Sequence, residues 1–348
     1  MSGGNSDIPL GNRGTKRCSL LSRRTRGRMR SLSSAIAALW VAACLSPLPG
    51  ATQEKPNRLN LGYSSISGSQ AILRVIKDAG IFQKNSLDVS LVLIAGGSGI
   101  VQALIAGDLP VAVVSGEPSI LARLQGADTV ILGCLINIID FSIITAPEVK
   151  KAQDLKGKKL AVSRFGSSTD FVLRYALEKW GLLPDRDVAI LQIGSQPARL
   201  AALKSGTVQG TIVGPPADIV ARKSGLNEIA TPEQLNLAYP NTCIVTTTSS
   251  ASKNEELIRR VMKAMVEGIH FFKTQKEASL KSLDAFARLR ETDLLDETYR
   301  HYQDLIHRVP YPDVKGIQNV LNEIAGKDPK VKGLKPETFA DMREKLPR

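Results

Sequence analysis

The stretch Asp154-Leu155-Lys156-Gly157-Lys158-Lys159-Leu160-Ala161-Val162-Ser163-Arg164-Phe165-Gly166-Ser167-Ser168-Thr169-Asp170-Phe171 decides the fold of this 348-residue chain. Asp154–Gly157 reads as the end of a short helix, stopped at Gly157. Lys158–Ser163 is a short strand carrying Leu160 and Val162. Gly166-Ser167-Ser168-Thr169 is a turn whose small hydroxyls suit a helix cap. The helix that follows, about Thr169–Trp180, sets Phe171, Val172, Tyr175, Ala176 and Trp180 on one side and stops at Gly181. Strand, polar turn and helix form one unit. Free N–H groups and a partial positive charge at the helix start make such a turn a place for an anion or a polar ligand.

The same unit recurs on either side. Arg58–Tyr63 is a strand, Ser64-Ser65-Ile66-Ser67-Gly68-Ser69 a hydroxyl-rich turn, and a helix then runs to Gly80. Leu87–Ile94 leads into Gly96-Gly97-Ser98-Gly99, and Pro110–Val114 into Ser115-Gly116-Glu117-Pro118. Thr129–Ile136 and Phe141–Thr145 are further strands. Downstream, Val188–Ile193 precedes the turn Gly194-Ser195-Gln196-Pro197, and Val208–Val213 precedes Gly214-Pro215-Pro216. This alternation means βαβ units. The expected fold is α/β and two-lobed, with two mostly parallel sheets flanked by helices. The turns gather at the carboxyl ends of the strands, where open α/β sheets bind ligands.

Asn241–Thr248 is one more apolar strand, and beyond it the alternation ends. Asn254–Phe272 is an amphipathic helix, with further helices near Ala278–Leu289, Asp296–Ile306, Val314–Ile324 and Pro336–Lys345. The chain is expected to cross to a second lobe after Ile144 and to return near Thr242–Thr248, the two crossing strands forming a hinge. That reading assigns 1–52 to a targeting segment and tether, 53–145 plus 245–348 to lobe one, and 146–244 to lobe two.

The formal charge of +13 points at first to nucleic acid. Eight basic residues between Arg13 and Arg30, against Asp7 alone, carry +7 of it. The rest is dispersed, without a basic stripe interleaved with aromatics, so no nucleic-acid partner is expected. Arginines followed by apolar Ala35–Leu45 and then Pro47 and Pro49 make a signal peptide, too short to span a membrane. Met29 is the better start for it. Val41-Ala42-Ala43-Cys44 resembles a lipoprotein box, with cleavage near Ala51 as the other reading. The protein is therefore expected in the periplasm or otherwise outside the cytoplasm, touching the membrane only through a signal or a lipid on Cys44.

Cys18 and Cys44 fall in this leader. Cys134 and Cys243 lie in apolar, strand-like runs and read as two buried free thiols, with a disulfide as the alternative in an exported protein. There is no CxxC and no metal-ligand spacing, and His270, His301 and His307 all sit in the helical C-terminal region. Neither a metal or cofactor nor a catalytic triad is expected.

Asp154–Phe171 resembles the opening of the second lobe in ABC-transporter substrate-binding proteins of the nitrate, sulfonate, taurine and thiamine-precursor group. A second phrase, Gly194-Ser195-Gln196-Pro197-Ala198-Arg199-Leu200-Ala201-Ala202-Leu203-Lys204-Ser205-Gly206-Thr207-Val208-Gln209-Gly210, is similar to the helix and strand "RLAALKSGxVDA" of that family. The similarity spans about residues 57–270. It implies the class II periplasmic-binding fold, capture of a small solute, and an ABC permease and ATPase as partners of a monomer. The cysteine-rich metal motif of the related eukaryotic pyrimidine synthases is not matched. Relatives on the same fold include a desulfinase and menaquinone-pathway enzymes, so an enzyme is the alternative. The motifs mark the fold and leave the ligand open.

Each candidate for ligand contact has a plainer role beside it. Ser64 and Ser65, after Tyr63 at the strand end, touch the ligand or only cap the helix. Ser98 sits in a turn that lets a ligand approach backbone. Without the GxxxxGK[ST] pattern it is no nucleotide loop. Ser115 and Gly116 end a strand on the same side, and Glu117 is either a partner for an amine or a first-turn acid. Arg164 is a clamp for a carboxylate or sulfonate, or a solvated arginine. Phe165 stacks on the ligand or plugs the lobe. Ser167, Ser168 and Thr169 are the central candidates, and Ser195 with Gln196 and Gly214 with Pro215 complete that wall.

Overall fold

The computed structural model describes residues 57–288 and 291–341, all within one unit, Glu54–Arg348. The leader readings at Met29, Cys18, Cys44 and Ala51 lie outside the described residues. Among those described, no helix is long and apolar enough to cross a membrane. Ten strands follow one another: β1 Asn57–Tyr63, β2 Leu87–Leu93, β3 Val111–Val114, β4 Thr129–Ile138, β5 Ser142–Thr145, β6 Lys159–Val162, β7 Ala189–Gln192, β8 Gly210–Val213, β9 Asn227–Ala230 and β10 Ala238–Thr247.

They form two five-stranded sheets, ordered β2-β1-β3-β10-β4 and β7-β6-β8-β5-β9. In the first, β1 runs parallel to β2 and β3, while β10 is antiparallel to β3 and β4. In the second, β6 is parallel to β7 and β8, while β5 is antiparallel to β8 and β9. Each sheet is thus mixed: four strands share one direction, and one strand inserted near the edge is reversed. The reversed strands are those that follow a passage between sheets. After each passage, three residues in one case and a stretch holding only the four-residue helix Pro232–Leu235 in the other, the strand enters against its neighbours.

The passages lie at residues 139–141 and 231–237, a little before the places read from the sequence near Ile144 and Thr242. Ser142–Thr145 is already paired along its length with β8, and β10 pairs with β4 from Ala238 onward. The sequence reading passes over β9, whose Asn227-Glu228-Ile229-Ala230 is half polar and only four residues long, and the short helix Pro232–Leu235, although Thr231, Pro232 and Gln234 form a capping box with proline at its first position. The expected helix Pro336–Lys345 is, in its described part, a 3-10 turn over Pro336–Phe339. Strands β3, β4 and β8 are buried on both faces and so read as continuous apolar runs rather than alternations.

An apolar cluster runs from Ile131 and Val245 of the first sheet through Tyr239 to Leu160 of the second and Val172 of the helix Ser168–Lys179. Phe171 stacks on Tyr239 at 5.4 Å between ring centres. Cys134 of β4 and Cys243 of β10 face each other in register and are joined by a disulfide, which corrects the free-thiol reading. Apolar neighbours hid it in the sequence. Only the pairing of two strands 109 residues apart brings the sulfurs together.

Candidate functional site

The carboxyl ends of the strands of both sheets face one cleft of about 50 Å³. From the first sheet, Ser64, Ser65, Gln70 and Ser115 line it. From the second come Ser163, Ser168, Thr169, Ser195, Gln196 and Arg199. Phe141, Asn241 and Thr242 close its floor beside the passages between sheets. Its size is far below the roughly 300–1,000 Å³ of sites that take drug-sized ligands.

The turn after β1 is closed by Gln70. Its Oε1 accepts from the backbone N–H of Ser64 at 2.9 Å and of Ser65 at 3.1 Å, and its Nε2 donates to Ser64 Oγ at 2.8 Å. These N–H groups, which the sequence leaves open for a ligand, are therefore occupied, and Gln70 itself carries no motif. Across the cleft, Thr169 Oγ1 accepts from Ser163 N–H at 2.9 Å. Ser163, Ser167 and Thr169 form a hydroxyl knot with contacts of 2.8, 2.9 and 3.1 Å. Ser167 Oγ also donates to Arg164 O at 2.6 Å. Ser167 is fully buried inside this knot and makes no side-chain cap to the helix it precedes. Ser168 and Thr169 reach the cleft instead.

Losing the Ser167 hydroxyl strands its buried partners. Ser167→Ala should lower stability by about 1–3 kcal/mol, whereas Ser168→Ala should change it by less than about 0.5. Denaturant melts of the two variants check this ordering.

The remaining candidates have other positions. Arg164 does not line the cleft: its Nε donates to Ala95 O at 2.9 Å, across to the first sheet's side. Ser98 Oγ donates to Phe165 O at 3.0 Å in the opposite sense, so the two turns latch on each other. Gly96 permits this contact. Its φ is +87°, and a Cβ there would meet Arg164 Cγ at 2.8 Å. The Phe165 ring is half exposed at the rim. Tyr63 leans on Phe286 at 5.6 Å. Gly116 is packed against Ile131 and Pro240. Glu117 is buried outside the cleft, and burial with nearby Asp170 pushes its carboxyl well above the usual range. Gly214 exchanges hydrogen bonds with the Gln196 amide at 3.2 and 3.4 Å. Pro215 O accepts from Gly68 N–H at 3.1 Å and from the Tyr302 hydroxyl at 3.2 Å, which ties one sheet to the other.

Arg199 is the residue that the sequence reading passes over. It lies on the helix Gln196–Lys204, on the face that also buries Gln196 and Leu203, and it is 3% exposed. The i, i+3, i+7 spacing is the signal that would have found it. Its Nε donates to Thr211 Oγ1 at 3.1 Å, one terminal nitrogen to Ile212 O at 2.9 Å, and the other to Gly194 O at 2.5 Å. All three acceptors are neutral, and no ion pair to Arg199 occurs among the described residues. Burial alone brings its pKa down to about 10, so the charge persists at neutral pH. A lone cation therefore stands at the cleft wall. Among the described residues no three His, Cys, Asp or Glu side chains group to hold a metal.

A family model described as the NMT1-like family matches residues 52–283. A curated binding protein of Brucella abortus is 24% identical over 265 residues, covering 74% of this chain and 81% of its own. Among solved structures, the alkanesulfonate-binding protein SsuA of Xanthomonas axonopodis pv. citri, bound to MOPS, superposes with a TM-score of 0.69 at 19% identity. It covers 82% of this chain and 99% of its own. The periplasmic nitrate-binding protein NrtA of Synechocystis PCC 6803 gives 0.61 at 18% identity, covering 70% of each chain. The fold is that of the periplasmic binding proteins, as the two sequence phrases imply.

Proposed function

The chain belongs to the NMT1-like family, and on that premise we propose an extracytoplasmic solute-binding protein that captures a small anion and delivers it to an ABC importer. One observation carries the anion: the buried Arg199 charge at the cleft wall, hydrogen-bonded to neutral oxygens alone. A buried cation without a counter-charge is costly, and an anion in the cleft offsets that cost. Ser168, Thr169, Ser64 and Ser115 line the cleft in which it would lie. Hydrogen bonds to a charged group contribute roughly 1.5–3 kcal/mol each. Two similar proteins are named for sulfonate and for nitrate, both anions.

In this reading the two sheets are the cores of two lobes, hinged at residues 139–141 and 231–237, with Arg164 and Ser98 as the closing contacts. Residues 1–52 are the export signal and tether, whether cleaved near Ala51 or lipidated at Cys44. The partners are a permease and an ATPase, and the binding protein itself is a monomer. An enzyme would need a nucleophile or an acid–base pair at the cleft. Cys134 and Cys243, the cysteines among the described residues, are bonded to each other, and the similar proteins are named as binding proteins.

Calorimetric titration of the protein with nitrate, ethanesulfonate and acetate, each beside an uncharged analogue of similar size, tests the reading. One anion should saturate a single site at least tenfold more tightly than its neutral counterpart, and Ser168→Ala should weaken it about tenfold. Equal binding of the neutral analogue, or no saturation by any anion, overturns the anion assignment.

A further inference from the structure

A second cavity, of about 280 Å³, lies on the other side of the passage between the sheets. Phe141 lines the cleft and Ser142, the next residue, lines this cavity, so successive side chains face opposite ways. The two cavities share no lining residue. The walls of the second come from Ser142 at the start of β5, Asp218 and Arg222 of the helix Ala217–Lys223, and His301 of the helix Thr292–Leu305.

Of the buried side-chain atoms that find no hydrogen-bond partner among the described residues, three belong to this one cavity: Ser142 Oγ, Asp218 Oδ1 and His301 Nε2. Ser142 is 1% exposed and Asp218 6%. Such groups are costly to leave unpaired, and three of them belong to residues of one cavity. The charge around them is negative. Glu228, Glu233 and Glu297 stand with Asp218 against Arg222, whose guanidinium is already committed to Asp218 Oδ2 at 3.3 Å and to Glu228 Oε1 at 3.0 Å. The second Asp218 oxygen is buried without a side-chain partner among the described residues.

We infer that this cavity is a second binding site, for a small organic cation bearing ammonium or guanidinium groups. All three unpartnered atoms can accept: the carboxylate oxygen, the hydroxyl, and the imidazole nitrogen in its neutral form. The N–H donors of an amine or guanidine complement that set. No metal-holding group of carboxylates and histidines occurs among the described residues, so an extended cation suits the walls better than a bare ion. The site also joins the two halves of the fold. His301 meets Tyr302 edge-on at 4.9 Å, and the Tyr302 hydroxyl donates to Asp140 Oδ2 at 3.1 Å and to Pro215 O at 3.2 Å. A cation here bridges the helix Ala217–Lys223 to the helix Thr292–Leu305, behind the hinge. The inference is independent of what the cleft binds.

Titration of the protein at about 0.15 M salt, where exposed charges are largely screened, with 1,4-diaminobutane and with guanidinium tests it, 1,4-butanediol being the uncharged control. At least one cation should show a single saturable site and the diol none. Asp218→Asn and Ser142→Ala should each weaken that binding at least tenfold. Ser142→Ala removes a hydroxyl that has no partner, so the ligand-free protein should melt no lower than the parent. The test therefore survives a failure of Asp218→Asn to fold. Ser168→Ala, in the cleft, should leave the cation affinity unchanged. Absence of saturable binding means a merely hydrated pocket. Binding that survives both cavity variants means diffuse attraction to an acidic rim. A loss on Ser168→Ala places the cation in the cleft. Each of these three results overturns the inference, and the first two leave the anion titration untouched.

Discussion

Arg199→Gln should lower the affinity for a small anion about fiftyfold, while Arg199→Lys keeps it within about tenfold of the parent. For an anion placed about 7 Å from the guanidinium, Coulomb's law at an effective dielectric of about 20 gives about 2.4 kcal/mol, near fiftyfold at 1.4 kcal/mol per decade. Lysine keeps the charge and loses the fork that joins Gly194 O, Thr211 Oγ1 and Ile212 O. Glutamine keeps part of the hydrogen bonding and loses the charge. The pair therefore separates electrostatics from scaffolding. Melting of both variants reports the scaffold, whose orphaned carbonyls cost about 1–3 kcal/mol each when left unpaired.

The pH dependence follows from the same group. Burial lowers the arginine to about 10 in the free protein, and a bound anion raises it again. Its contribution to anion affinity is thus constant from about pH 6 to 9 and declines as pH rises through 10. Full anion affinity in Arg199→Gln would remove the buried charge from the account and leave the hydroxyls to carry binding alone.

The two arginines show where a sequence stops being readable. Arg164 follows a strand and precedes a cap-like turn, a place that suits a ligand clamp and a solvated arginine alike. In the fold its Nε donates to Ala95 O, across a gap that no local pattern encodes. Arg199 is passed over, although it shares a helix face with Gln196 and Leu203. Its burial depends on β8, whose Thr211 and Ile212 receive it. The same limit applies to backbone. Strand, turn and helix follow from short-range chemistry, so the repeated units are legible from Gly, Ser and apolar spacing. The reversed strands β5 and β10 look like any other apolar run, because direction is fixed by the chain's path between sheets. β9 is invisible since its four residues gain their strand state from pairing with β5. Ser167 and Ser168 are neighbours of one residue type, and only the knot with Ser163 and Thr169 separates the buried one from the one facing the cleft.

Removing the Cys134–Cys243 bond should cost about 2–4 kcal/mol of stability and leave the cleft intact. The bond closes a loop with a sequence separation of 109, for which chain entropy gives an upper figure of about 4–5 kcal/mol. Its position makes the loop meaningful. Every strand of the second sheet, β5 through β9, lies between the two cysteines. The bond fastens β4, from which the chain leaves, to β10, on which it returns. The oxidised unfolded chain is therefore held together at the base of the whole excursion, while the reduced one is free to expand. Guanidinium melts of the oxidised protein and of the Cys134→Ala, Cys243→Ala double variant should differ in midpoint. The steeper dependence on denaturant should belong to the variant, whose unfolded state exposes more surface. Alanine is the proper replacement, since serine would bury two hydroxyls among apolar neighbours. Both sulfurs are buried away from the cleft, so anion affinity measured below the transition should not move. Equal midpoints would mean that the strands hold this junction without the bond. A bond of this kind persists in oxidising compartments. Protein made in a reducing cytoplasm should therefore melt like the variant until it is oxidised.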